Sequence, residues 1–182
     1  GKMLFGAVSS TPMLVKQQEA RKKITTLLAG FDSGFSWTYF INRLVPNLKI
    51  VLFAENQSNL VMYQGKEIHP EFADILDASF NGGVRLDSYQ VQDGYCTLNL
   101  DLELDCVHKK GEQIYKKKEV FALCIMKNIT RMEEFGFSVK KVKCPCCGGS
   151  FDATRERHCA YCCGEPYDMR EDGWTIMELR MR

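Results

Sequence analysis

A ten-residue stretch, TLNLDLELDC at residues 97–106, alternates strictly between apolar and polar side chains. Leucine or cysteine occupies every even-numbered position, and threonine, asparagine or an acidic residue occupies every odd-numbered one. Successive side chains of a β-strand point to opposite faces, so the pattern predicts a strand with one dry face and one wet face. Such a strand needs antiparallel neighbours and a hydrophobic layer against its dry face.

Three other stretches predict the rest of this sheet. A turn at Gly111 leads into a returning strand over residues 112–128, VRLDSYQV (84–91) precedes the alternating strand, and WTIMELRMR (174–182) follows the pair. Helices are predicted over residues 9–34, 35–57 and 69–83, with Ser10 or Thr11 capping the first and Ser36 the second. Helices followed by an antiparallel sheet indicate an α+β fold.

Six of the nine cysteines are concentrated in KCPCCGGSFDATRERHCAYCCGEP, residues 143–166. Cys144 and Cys147 form one CxxC pair, and Cys159 and Cys162 form a second. Two such pairs can supply the four thiolates that zinc prefers in a tetrahedral site. The sequence therefore predicts zinc bound by these four residues.

The neighbouring residues leave some alternatives open. Cys146 can replace Cys144 only in a tighter CxC pair, and Cys163 can shift the second pair by one position. His158 is a further candidate, although its side chain should point away from that of Cys159. A CxxC motif can also act as a redox dithiol, but two motifs in tandem favour a metal, and four thiolates leave no open position for catalysis.

The remaining three cysteines lie in apolar, strand-like sequence and are predicted to be buried and free: Cys96, Cys106 and Cys124. Unpaired cysteines favour a reducing compartment, so we expect a cytoplasmic protein. No run of about 18 apolar residues predicts a membrane span. Because the sequence begins at Gly1 rather than methionine, an upstream membrane anchor remains open.

Charge and carboxylates define two other functional hypotheses. The 24 basic and 23 acidic residues nearly cancel, which argues against a nucleic-acid binder. Nucleic-acid binding remains an alternative through a patch around the cysteines: Lys140, Lys141, Lys143, Arg155 and Arg157. An enzyme is the other alternative, with Asp87, Asp101 or His69 as acid or base. The acidic face of residues 101–105 is more simply explained by pairing with Lys116, Lys117 or Lys118 across the hairpin.

Two stretches together resemble the domain family of subunit 44 of the mitochondrial inner-membrane import translocase and its bacterial relatives. The residues of the helical stretch that match are Phe35, Phe40, Arg43, Leu44 and Ala54. The residues that match the zinc-ribbon insert of the bacterial relatives are Cys144, Cys147, Gly148, Cys159, Tyr161, Cys162 and Trp174. The resemblance covers about residues 33–182. Cys146 and Cys163 depart from it, Cys163 by replacing a glycine, and Pro46 is unusual inside the helix.

This resemblance implies a cone-like curved sheet wrapped by N-terminal helices, as in nuclear transport factor two. It implies a helical arm (1–30), a cone-shaped domain (31–138 and 174–182) and a zinc-ribbon insert (139–173) before the last strand. The function it implies is a non-catalytic binding or scaffold module for a protein segment or an apolar ligand. The arm is then a candidate for contact with a partner or a membrane surface, with a simple surface helix as the alternative. The enzyme alternative would use the pocket of the cone, as isomerases and dehydratases with related cone folds do.

Overall fold

The protein is α+β, with two helices and an open four-stranded antiparallel sheet. The computed structural model describes residues 12–68, 70–130, 141–144, 146–152, 156, 158–159, 161–162, 168, 170 and 173–182. The helices are α1 (Pro12–Ala29) and α2 (Trp37–Phe53), with short 3₁₀ turns at Gln57–Asn59 and Pro70–Asp74. The strands are β1 (Ile75–Gln92), β2 (Tyr95–Lys110), β3 (Gln113–Asn128), β4 (Lys141–Lys143), β5 (Ser150–Asp152) and β6 (Thr175–Met181).

The sheet has the order β1-β2-β3-β6, and every neighbouring pair is antiparallel. Asp93 and Gly94 join β1 to β2 with φ angles of 56° and 81°, as a two-residue hairpin turn requires. The predicted hairpin of β2 and β3 is confirmed, with a register that runs from Tyr95 opposite Asn128 to Lys110 opposite Gln113. The predicted last strand is confirmed as β6.

One face of the sheet and both helices share a hydrophobic core. The even-numbered leucines of β2 are fully buried, as their alternation predicted: Leu98, Leu100, Leu102 and Leu104. Helix α1 contributes Ala20, Ile24 and Leu28 at four-residue spacing, which places them on one side of the helix. Burial of this apolar surface is the main stabilising contribution to the fold.

Helix α2 covers the same face with seven buried side chains, which are Trp37, Phe40, Ile41, Leu44, Leu48, Val51 and Leu52. Its N-cap is Ser36, as predicted, because the Ser36 side chain accepts a hydrogen bond from the Tyr39 amide. The predicted caps of α1, Ser10 and Thr11, lie outside the described residues. Among the helices that the structure describes, none has the length and apolarity needed to cross a bilayer.

The helix predicted over residues 69–83 is wrong, because most of this stretch belongs to β1. A register shift between Ile75 and Asp77 leaves Ile75 and Ala78 both buried although they are three residues apart. That spacing imitates a helical face. A second shift, between Phe80 and Val84, contains Gly82 at a φ of 94°, so the glycines predicted to end a helix form a bulge instead.

The outer face of the sheet contains a buried carboxylate. Asp101 is 2% exposed and lies between two guanidinium groups. Arg85 Nε donates to Asp101 Oδ2 at 2.8 Å, and Arg182 Nε donates to Asp101 Oδ1 at 2.9 Å. The expected pairing of Asp101 with a lysine of β3 is therefore wrong, since Arg85 of β1 and Arg182, the residue after β6, take both of its oxygens.

Candidate metal centre

The first cysteine pair lies in the tight connection between β4 and β5. The Cys144 amide donates to the Gly149 carbonyl, and the Gly148 amide donates to the Cys144 carbonyl, both at 2.8 Å. Gly148 has a φ of 74°, a conformation that side chains other than glycine rarely adopt. This turn directs the Gly149 amide at Cys147 Sγ, 3.4 Å away, where it stabilises negative charge on the sulfur.

In the second pair, too, a backbone amide two residues after a cysteine points at its sulfur, here the first cysteine of the pair. The Tyr161 amide donates to Cys159 Sγ at 3.4 Å. The Tyr161 ring lies so close to Gly149 that a Cβ atom there would be 2.8 Å from it. Gly149 therefore allows the two turns to meet, a requirement that local sequence does not reveal because it depends on a contact between residues of different turns.

The four predicted ligands, Cys144, Cys147, Cys159 and Cys162, lie together, with all four Sγ atoms within 4.8 Å of one another. Contacts of 3.5 Å (Cys144 to Cys162) and 3.6 Å (Cys147 to Cys159) join one CxxC motif to the other. A tetrahedral zinc site with bonds of about 2.3 Å places its sulfurs about 3.8 Å apart. These separations match the size of a four-thiolate metal site. The described cysteines form no disulfide, so all four thiols are available as ligands.

The hydrogen bonds around the cluster already favour thiolate at one position. Amide donors at Cys147 and Cys146 lower the pKa of Cys144 to about 6. At Cys147 the Gly149 amide favours the thiolate, but the hydrogen bond with Cys159 and desolvation oppose it, and the pKa is raised. Adjacent sulfurs cannot all ionise without a cation between them, so the cluster is suited to exchange its protons for a metal.

The alternative ligands have different positions. Cys146 is exposed and does not belong to the four-sulfur group, and His158 is exposed as well. Cys163 lies outside the described residues, as do Lys140, Arg155 and Arg157 of the predicted basic patch. Of the two other lysines in that patch, Lys143 is exposed, and only the backbone of Lys141 is described.

Residues that follow the cysteines attach this part of the chain to the sheet. Arg170 forms an ion pair with Asp168 at 2.7 Å and lies over the ring of Tyr95 at 5.3 Å from its centroid. Gln64 donates to Asp168 at 3.2 Å, and the hydrogen bonds from Arg170 lower the Asp168 pKa. Trp174 then packs edge-on against Phe40 in the core. These pairings could not be predicted from the sequence, because charge and aromatic character do not specify which distant residue is the partner.

Of the acid–base candidates, the two that the structure describes are both held by Arg85. Asp101 is held between two arginines, Asp87 lies 3.6 Å from Arg85 on the same strand as that arginine, and His69 is outside the described residues. A buried pair that no sequence motif indicated lies on the core face, where His108 Nε2 is 3.2 Å from Glu119 Oε1. That pair joins neighbouring strands and is distant in sequence from the cysteine cluster.

The other cysteines are predicted to be chemically inert in the folded protein. Cys96 and Cys106 are buried as expected, Cys124 is partly buried, and burial raises the pKa of Cys96 and of Cys106 to about 11. After treatment with a strong chelator, iodoacetamide should modify Cys147 and Cys162 but leave Cys96 and Cys106 unmodified until the chain is denatured.

Mass-spectrometric mapping of the modified peptides measures this difference. The exposed Cys146 provides the control, because its modification should not depend on the chelator. Rapid labelling of Cys96 or Cys106 in the native protein would contradict the prediction.

No protein-family model, curated protein or solved structure matches this chain. The resemblance to the import-translocase subunit 44-like family therefore remains a prediction based on the residues quoted above. The cone shape and the division into arm, cone and insert remain predictions for the same reason.

Proposed function

We propose that this chain is a non-catalytic binding module whose cysteine cluster holds a structural zinc ion. The observation that supports this most directly is the grouping of Cys144, Cys147, Cys159 and Cys162, with all four sulfurs within 4.8 Å. Four sulfurs at that separation match a tetrahedral ion, and soft thiolates select zinc over hard cations. The amides that point at Cys147 and Cys159 supply the second set of interactions that such a site needs.

A structural role is favoured over a catalytic one by the composition of the site. Four protein thiolates complete the coordination of zinc, so no position remains for water or substrate. The acidic residues considered for catalysis lie elsewhere, and the carboxylate of Asp101 is already occupied by Arg85 and Arg182. In this proposal the ion stabilises residues 139–173 as a zinc ribbon inserted before the last strand of a cone-shaped domain.

The partner in this proposal is a protein segment or an apolar ligand, and it rests on the resemblance alone. The zinc ribbon serves either as a support for the domain or as part of the surface that contacts the partner. The N-terminal arm is proposed as a second contact, toward a partner or a membrane surface.

The metal and its coordination can be tested together. The chain purified under reducing conditions should contain one equivalent of zinc by elemental analysis. Replacement of zinc by Co²⁺ should give the absorption spectrum of a tetrahedral four-thiolate site, and added azide or imidazole should leave that spectrum unchanged. A chain without stoichiometric metal, or a Co²⁺ spectrum that shifts with the added ligand, would argue against a closed structural site.

A further inference from the structure

The strand β6 forms one edge of the sheet, and residues 62–65 cover the start of that edge. The outward amide and carbonyl of Ile176 are both bonded within this segment. A Cβ atom at Gly65 would lie 2.9 Å from the Met177 carbonyl, so Met177 is covered as well. The part of the edge that is open to another chain therefore begins after Met177.

Beyond that point, two residues of β6 direct both of their backbone groups away from the sheet. The Arg182 amide donates to the Val120 carbonyl at 2.8 Å, which fixes which residues of β6 bond to β3. Because backbone direction alternates along a strand, the N–H and C=O groups of Leu179 and Met181 point outward. None of the described residues bonds to these four groups. They are two donors and two acceptors that an added strand can satisfy.

The four groups border a groove of about 700 Å³, within the range of about 300–1,000 Å³ that is usual for ligand-binding clefts. Residues 177–181 line one side of this groove, and residues 63–67 with Phe72 line the other. A second copy of β6 does not fit between these two sides, because its own other edge is already paired with β3. The space suits a single extended chain that has no strand partner of its own.

The alternation of β6 specifies the side chains that such a chain needs. Leu179 and Met181 pack on the core face, and Arg180 is exposed on the outer face. Residues directly opposite each other on two paired strands place their side chains on the same face and interact there. Apolar residues are therefore favoured opposite Leu179 and Met181, and an acidic residue is favoured opposite Arg180.

We infer that this groove binds an extended segment of a partner protein, which adds to β6 as an antiparallel fifth strand opposite residues 179–181. Recognition by strand addition takes its affinity from main-chain hydrogen bonds and its specificity from alternate side chains. The four outward backbone groups supply the first, and an apolar–acidic–apolar sequence in the partner supplies the second. The inference rests on the proposed function, for which it names the place and the chemistry of the partner segment.

A short peptide tests the backbone pairing on the full chain. The probe is acetyl-Ser-Val-Glu-Val-Ser-amide, whose valines would face Leu179 and Met181 and whose glutamate would face Arg180. Titration followed by NMR should show binding, and the Leu179 and Met181 amide hydrogens should become protected from solvent exchange only when the peptide is present. Methylation of both valine nitrogens should abolish binding, because it removes the donors to the β6 carbonyls but keeps every side chain.

Charge exchange tests which residue the centre of the segment faces. Arg180→Glu should weaken binding of the glutamate peptide at least about fivefold and should strengthen binding of the matching lysine peptide by a similar factor. Lys23→Glu inverts a charge at an exposed position of α1 that does not line the groove, so it should leave the preference for glutamate unchanged. Far-UV circular dichroism should show that both variants are folded.

The zinc content of the same preparation separates this inference from the metal site. A chain that contains zinc but does not bind the glutamate peptide would overturn the inference and leave the structural zinc site in place, whereas binding without zinc would support the inference and count against that site. Equal binding of the methylated peptide, or a preference that Arg180→Glu does not alter, would also overturn it. Protection of the Leu179 and Met181 amides without peptide would do the same, since the chain itself or a second copy would then occupy the edge.

Discussion

Replacing Cys147 by serine is expected to abolish stoichiometric metal binding and to unfold the cysteine-containing segment. The four sulfurs lie within 4.8 Å of one another, so the loss of one leaves an incomplete tetrahedron around the ion. Structural zinc contributes about 10–16 kcal/mol to the folding of zinc-finger peptides, which is far more than a hairpin of two three-residue strands such as β4–β5 can provide. Elemental analysis and limited proteolysis of residues 141–170 measure the two effects.

Cys146→Ser is the matched control for this experiment. Cys146 precedes Cys147 directly, is exposed and does not belong to the four-sulfur group. The Cys146 variant should therefore keep one equivalent of metal and the protease resistance of the wild type. If the Cys147 variant retained its metal, or if the Cys146 variant lost it, the assignment of ligands would be wrong. The sheet should persist in both variants because its core contains none of these residues.

The second large effect is expected at the outer face of the sheet, where Asp101→Asn should destabilise the fold by about 3 kcal/mol. Removing one member of a buried ion pair costs roughly 3–5 kcal/mol when the remaining charge stays buried. Arg85 and Arg182 are each about a third exposed, so both guanidinium groups can recover some hydration and the cost should lie at the lower end of that range. Urea unfolding followed by circular dichroism measures the free energy of unfolding.

Asp105→Asn makes the same chemical change four residues further along β2, on the same face of the strand. Asp105 is exposed, and its only described hydrogen-bond contact is a long one from Asn81 at 3.4 Å. The free energy of unfolding of this variant should stay within about 0.5 kcal/mol of the wild type. If the two substitutions lowered the free energy of unfolding equally, the ion pairs of Asp101 with Arg85 and Arg182 would not be what stabilises the fold.

Strand β2 was predictable because its side chains alternate without interruption from Thr97 to Cys106, and the even-numbered leucines are buried as expected. Strand β1 was not predictable in its first half. The register shifts after Ile75 and Phe80 break the two-residue period, and the remaining apolar spacing matches a helix better than a strand. Local sequence shows a period but does not show where a neighbouring strand tolerates an extra residue.

The grouping of Cys144, Cys147, Cys159 and Cys162 was predictable for a related reason, since each CxxC pair is set by local turn geometry. The contacts that attach this segment to the rest of the fold were not predictable from the sequence. Gln64 and Asp168 are 104 positions apart. The ion pair of Asp101 with Arg182 on the outer face of the sheet, 81 positions apart, was unpredictable for the same reason. Such pairs form only when the chain has already brought distant strands together, and hydrogen-bonding capacity alone does not specify the partner.

The topology of the sheet also has a kinetic consequence. Strands β1, β2 and β3 are joined by tight turns, whereas β6 reaches β3 only after the whole segment between Asn128 and Thr175. The entropy lost on closing a loop grows with the length of chain inside it. A metal ion that folds the cysteine-containing part first would shorten the effective loop, so capture of the ion would accelerate the step in which the last strand docks.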